Sequence, residues 1–128
     1  MSESVKDLIA QARAQIGNLS ADDVAKALDA GQVTLVDLRE PGEVDKEGTI
    51  PGAVLAPRGM LEFYADPASP YHRAEFDPER ATILFCASGG RSALAARTLQ
   101  TLGYRDVSHL DGGLTAWKSA GRPITNEK

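Results

Sequence analysis

Apolar residues near the start of the chain recur at the spacing of a helix. Val5, Leu8, Ile9, Ala12 and Ile16 share one face, because residues three and four apart are neighbours on a helical surface. The stretch "NLSADDVAKALDAG" (18–31) reads as a second helix. Ser20 is placed to cap it, Asp23 stands where a capping box needs its acid, and Gly31 is suited to end it.

Beyond Gly31 the period changes. "VTLVDLR" (33–39), "GAVLAP" (52–57), "ATILFCA" (81–87) and "DVSHL" (106–110) are short runs rich in Val, Ile and Leu, bounded by Gly, Pro or Asp. The nearly continuous "TILF" predicts a strand covered on both faces. Helical stretches are predicted at 60–65, 92–102 and 114–120, the last two each followed by a glycine, Gly103 and Gly121. Strands alternating with helices predict an α/β fold whose parallel sheet carries helices on both sides. In open sheets of that kind ligands sit at the carboxyl ends of the strands, and Cys86 follows "TILF" directly. Residues 59–80, with three prolines and most of the aromatics, form a connection long enough to be a lid or an irregular crossover.

Composition narrows the function classes. A chain of 128 residues, 42% hydrophobic and 25% charged, suits one domain that buries a single core without staples. No repeat or linker marks a second domain, so an N-terminal arm (1–17) is expected ahead of a domain at 18–128. No apolar stretch is long enough to span a membrane, and the N-terminus lacks the apolar centre of a secretory signal; a cytoplasmic location is expected. Fourteen Lys and Arg against 18 Asp and Glu give a net charge of −4, which offers no basic field for nucleic acid or anionic lipid. Any bound anion must be held locally. The single cysteine excludes an internal disulfide and a C-x-x-C redox or zinc pair.

Candidate chemistry gathers in "CASGGRS", residues 86–92. A thiol reacts as its thiolate, which is favoured beside positive charge and at a helix N-terminus. Gly89 and Gly90 permit backbone angles that turn consecutive amides inward as an anion nest. Arg91 adds a planar fork suited to an oxyanion, and the helix from Ser92 points its N-terminal end back at the loop. The competing reading is a small apolar cysteine ending a core strand, followed by a turn. A buried Cys86 with the loop amides turned away would favour that reading.

Four segments in this order and spacing resemble the rhodanese (thiosulfate sulfurtransferase) family over about residues 18–124: "LVDLREPGEV", "GTIPGAVLAP", "CASGGRS" and "LDGGLTAWKSAGRPI". The resemblance implies a small parallel five-stranded sheet with helices on both faces, preceded here by the N-terminal helix. It aligns Cys86 with the family's catalytic cysteine and Cys86 through Arg91 with its active-site loop. The chain departs from the family at Thr49, where histidine is common, and at the acidic pair Asp45 and Glu47.

Four residues separate Cys86 from Arg91, whereas cysteine phosphatases place five. The shorter loop removes up to about 3.5 Å of chain from the cradle. In the rhodanese superfamily the six-residue loop goes with sulfur substrates and the longer one with phosphate or arsenate. The reaction this implies is covalent: Cys86 takes the outer sulfur of thiosulfate or a related donor, sulfite leaves, and cyanide or a thiol removes the sulfur from the Cys86 persulfide. Ala87, Ser88, Gly89, Gly90, Arg91 and Ser92 are expected to bind the donor and persulfide, with Arg58 adding a contact from the end of the second strand. Asp37 and Arg39 are expected to brace the loop. His109, Trp117 and Tyr104 are expected in the core or at its rim, and His72 at the surface. No cofactor or metal is called for. The expected partners are a small sulfur-containing anion and a thiol or protein acceptor of sulfur. The alternatives are a persulfide carrier serving a protein partner and, disfavoured by loop length, an arsenate reductase or phosphatase.

Overall fold

The computed structural model describes residues 2–127. Helix α1 (Val5–Arg13) and helix α2 (Ala21–Ala30) both open on a capping box. In α2 the Asp23 amide donates to Ser20 Oγ at 3.1 Å and the Ser20 amide donates to Asp23 Oδ2 at 3.4 Å. Two amides left over by helix geometry are thereby satisfied. Gly31, at a φ of +79°, ends α2 as expected.

Between the two helices lies strand β1 (Gly17–Leu19), so Asn18 and Leu19 are extended rather than helical. The cap explains the boundary, because Ser20 must itself be extended for its hydroxyl to reach back to Asp23. The remaining strands are β2 (Val33–Asp37), β3 (Val54–Leu55), β4 (Ala81–Phe85) and β5 (Val107–Leu110). All pair in parallel in the order β1-β5-β4-β2-β3. The strand expected at 52–57 shortens to the two residues of β3.

Successive residues of the central strands point to opposite faces, and two cores result. Val36 and Leu84 face a layer with Leu61, Phe76 and Leu99, while Leu35, Ile83 and Phe85 face one with Val24, Leu114 and Trp117. Helix α5 (Gly90–Thr101) lies over the first face and α6 (Gly113–Ser119) over the second. The long connection after β3 runs through a 3₁₀ turn (Arg58–Met60) and a short helix α4 (Leu61–Ala65). Leu61, Ala65 and Phe76 are buried in the core, and the Tyr104 hydroxyl donates to the Ala65 carbonyl at 2.8 Å. This segment is an irregular crossover packed against the sheet rather than a lid.

The arm packs on α5. Ala12 is buried and Ile9 half-buried, while Val5 and Leu8 remain exposed. Because β1 includes Gly17, the chain enters the sheet across the boundary expected at residue 17. Among the described residues no helix is long and apolar enough to cross a membrane.

Candidate active site

Cys86 leaves the carboxyl end of β4, in the middle of the sheet, and is 2% exposed. It is as buried as the inert reading requires, yet the loop amide is not turned away. The Gly89 N–H donates to Cys86 Sγ at 3.2 Å. Gly89 has a φ of +116°, a conformation that side-chain-bearing residues avoid. Helix α5 begins at the next residue, so its first amides, which have no partner within the helix, lie at this end of the loop.

The loop carbonyls are drawn the other way, into α6. Leu114 N donates to the Cys86 carbonyl at 2.9 Å, and Thr115 gives both its amide and its hydroxyl to the Ala87 carbonyl at 3.1 Å. This contact needs Gly113. A Cβ there would stand 2.5 Å from the Cys86 oxygen and 2.6 Å from the Ala87 carbonyl carbon and oxygen. The "DGGLTAW" segment therefore serves the site by holding the backbone of the Cys86 loop.

Ser92, also buried, places Oγ 3.7 Å from Cys86 Sγ, 3.2 Å from the Gly89 carbonyl and 2.8 Å from His109 Nδ1. His109 Nε2 lies 2.8 Å from Asn18 Oδ1. His109 is fully buried as expected, but it is joined to the loop. Burial holds its pKa below the ordinary imidazole value, and the nearby Arg13 charge lowers it further.

Arg91 is half-exposed and paired with Glu43. Glu43 sits on helix α3 (Pro41–Glu47), which follows β2 and was not predicted. Nη1 and Nη2 of Arg91 donate to Oε1 and Oε2 of Glu43 at 2.7 and 2.9 Å. The guanidinium holds the Glu43 carboxyl down at about 2, helped by the Glu40 amide, and Glu43 raises the Arg91 pKa in return.

Asp37 and Arg39 brace the ends of α3 rather than the Cys86 loop itself. Asp37 Oδ1 accepts from the Arg39 amide and Nε, both at 3.0 Å, and Oδ2 accepts from Arg39 Nη2 at 2.8 Å and Thr49 Oγ1 at 2.7 Å. Arg39 Nη2 also donates to the Gly48 carbonyl at 2.6 Å. Thr49 thus supplies the fourth bond to a fully buried carboxylate. The helix they flank carries Glu43, the partner of Arg91. Ala87 is half-buried and Ser88 exposed, and beside them a cleft of about 570 Å³ is rimmed by Glu43, Lys46, Thr115 and Lys118.

Arg58 lies apart from this group. Its guanidinium donates to Glu62 at 2.8 Å and to Thr98 Oγ1 at 3.3 Å. Thr98 is seven residues beyond Arg91 on α5, about 10 Å along the axis. Glu43, His109 and Asn18 were not picked out as site residues from the sequence. The one available signal was His109, a titratable residue inside the predicted strand "DVSHL".

Residues 20–120 match the family model for the rhodanese-like domain. The chain belongs to the rhodanese family. A thiosulfate sulfurtransferase (GlpE) of Pseudoalteromonas translucida is 32% identical over 104 residues, covering 80% of this rhodanese and 90% of the relative. A solved structure from Rhodopseudomonas palustris, a protein of unknown function described as a possible tyrosine phosphatase, superposes with a TM-score of 0.91 at 39% identity, covering 98% and 96% of the two chains. The polysulfide-sulfur transferase homodimer of Wolinella succinogenes superposes with a TM-score of 0.77 at 29% identity, covering 94% and 85%. Other curated relatives are longer, and the chain spans 30% and 49% of the length of two of them.

Proposed function

We propose that this rhodanese carries sulfane sulfur on Cys86, taking it from thiosulfate or a related anionic donor and passing it to cyanide or a thiol. The observation that carries the reading is the Gly89 N–H aimed at Cys86 Sγ from 3.2 Å. A buried sulfur with an amide donor and a neighbouring arginine is built to hold negative charge, and a persulfide terminus is such a charge. The six-residue span from Cys86 to Arg91 supports a sulfur donor over a phosphate. The relatives named as thiosulfate and polysulfide-sulfur transferases support the same class.

In the first half-reaction Cys86 Sγ attacks the outer sulfur of thiosulfate, the donor's S–S bond breaks and sulfite departs with the electron pair. Sulfite is a stable anion, so its departure calls for no placed general acid. In the second half-reaction the acceptor attacks the outer sulfur of the persulfide and Cys86 is regenerated. The cleft beside Ala87, with Lys46 and Lys118 on its rim, is the approach for the donor. Amides from Ala87 to Ser92 surround the persulfide, and Asp37 and Arg39 keep α3 in place behind Arg91. The reaction runs in the cytoplasm, where the thiol stays reduced.

The test is thiocyanate formation from thiosulfate and cyanide, run beside phosphate release from an aryl phosphate. Thiocyanate made by the wild type and not by Cys86→Ser supports the reading. Phosphate release without thiocyanate, abolished in Cys86→Ser, replaces it with a phosphatase. Transfer to a protein acceptor with no turnover of small acceptors replaces it with a carrier.

A further inference from the structure

His109 joins the Cys86 loop through a chain of hydrogen bonds that starts at the exposed Asn18 and is buried from His109 to Cys86. Asn18 Nδ2 donates to the carbonyls of Arg13 (2.9 Å) and Ile16 (3.2 Å), which leaves Asn18 Oδ1 facing His109 Nε2 at 2.8 Å. An amide oxygen only accepts, so the neutral ring carries its proton on Nε2 and offers a lone pair at Nδ1. Ser92 Oγ stands 2.8 Å from that lone pair and 3.2 Å from the Gly89 carbonyl, and its one hydrogen goes to Nδ1, the nearer acceptor. Its hydrogen committed, Ser92 presents only lone pairs to Cys86 Sγ at 3.7 Å, where they accept from the thiol.

On the Ser92 side that arrangement suits a thiol, whereas an anion on sulfur, already given the Gly89 N–H at 3.2 Å, needs a donor from Ser92 as well. One concerted shift satisfies every group: the sulfur gives its proton to Ser92 Oγ while Ser92 gives its own to Nδ1, after which both donors point back towards sulfur. We propose that Ser92 and His109 form a proton store for Cys86, accepting the thiol proton as the sulfur donor is attacked and returning it when the acceptor takes the sulfur. His109 acts through Ser92 and is a positioning residue in this scheme.

The inference rests on the sulfurtransferase reading, and the balance closes in both halves. Thiol, thiosulfate dianion and neutral imidazole become persulfide anion, sulfite dianion and imidazolium: S–H and the donor S–S bond break, a new S–S bond forms, and N–H appears at Nδ1. Cyanide then leaves as thiocyanate with the outer sulfur, the electron pair stays on Sγ, and the proton runs back. No oxidant or reductant is consumed. The site holds an opposed pair of charges instead of a lone buried anion, which a low-dielectric interior disfavours.

The charged groups facing His109 are Arg13, from the end of α1, and Asp111, just past β5. They hold each other at 2.6 and 3.0 Å. Arg13 disfavours a proton on the ring and Asp111 favours it. β1 contributes Asn18 and α5 contributes Ser92, both uncharged. Burial and Arg13 together keep the resting ring neutral, the form the store requires.

The experiment is the pH dependence of Cys86 alkylation by iodoacetamide in the wild type, His109→Gln and Ser92→Ala, with folding checked by circular dichroism. Glutamine keeps a donor and an acceptor but holds no proton. The expected wild-type rate rises in two steps separated by a plateau near neutrality. Both variants show one alkaline step, and their rate at pH 7 falls at least tenfold, roughly the factor carried by one pH unit. A single step in the wild type, or two steps retained in folded variants, overturns the store. A measurement that needs no variant is the NMR titration of His109 in the free and the alkylated protein. It moves to lower pH on alkylation if the proton is shared with sulfur, and identical curves overturn the proposal. Neither readout uses a sulfur donor. Two-step alkylation without sulfur uptake therefore sinks the sulfurtransferase reading alone, and single-step alkylation with normal uptake sinks the store alone.

Discussion

Arg91 gives both arms of its guanidinium to Glu43, with Nη1 2.7 Å from Oε1 and Nη2 2.9 Å from Oε2. This is the bidentate fork that arginine offers an oxyanion, and here a carboxylate of the protein occupies it. A dianionic donor must compete with Glu43 for the fork. Glu43→Gln is therefore expected to lower the KM for thiosulfate severalfold with little change in kcat, read by steady-state thiocyanate formation. A KM that rises as in Arg91→Ala would mean that Glu43 serves to hold Arg91 in place.

The same pair defines an acid response. The Glu43 carboxyl is held down at about 2, against 4.5 for the free side chain, by Arg91 first and then by the Glu40 amide. A depressed carboxyl contributes stability above its unfolded value and loses it as pH falls through the folded one. Both side chains are more than a third exposed, 38% and 36%, so solvent screening limits the contribution to about 0.2–1 kcal/mol. Urea unfolding should show wild type more stable than Glu43→Gln by that amount at pH 6, with the two converging between pH 4.5 and 2.

His109 responds in a different window. Its pKa is lowered in the folded protein, chiefly by burial, from the ordinary 6.5. The unfolded chain then binds more protons below that value, and stability rises with pH wherever the unfolded state binds more. The contribution is complete above pH 6.5 and lost as pH falls below it. Thermal melts from pH 8 to pH 5 should show a larger fall for wild type than for His109→Gln.

Gly113 tests the loop's backbone support. Its φ is +61°, and a Cβ would stand 2.5 Å from the Cys86 carbonyl oxygen. Gly113→Ala should cost about 1–3 kcal/mol of stability through backbone strain alone, and sulfur uptake should fall further because the loop carbonyls are pushed off α6. Gly103→Ala is the control. Its φ is +92° with nothing within 4 Å of the added carbon, so it should show the strain without the loss of uptake.

Sequence reading reached the parts of this site that are continuous along the chain. Cys86, Gly89, Arg91 and Ser92 lie within seven residues, between an apolar strand and a helix, so local geometry brings them together. The Ser20–Asp23 box and the two-faced β4 were legible for the same reason. β1 was hidden because it has three residues with an exposed Asn18 at the centre and extends into a strong helix signal. Helix α3 was hidden because "PGEVDKE" buries only Val44 and so carries no apolar period. Glu43 is 48 residues from Arg91, and Asn18 is 91 from His109. Those meetings are made by the order of strands in the sheet, which no single stretch of sequence records. Arg58 was placed by its position after a strand, but Glu62, one helical turn on, offered it a nearer partner.

The central claim, sulfur carried on Cys86, is tested most directly by the intact mass of the protein after thiosulfate treatment, before and after cyanide. The account predicts a gain of one sulfur atom that cyanide removes and that Cys86→Ser does not show. An unchanged wild-type mass, or the same gain in Cys86→Ser, would contradict it.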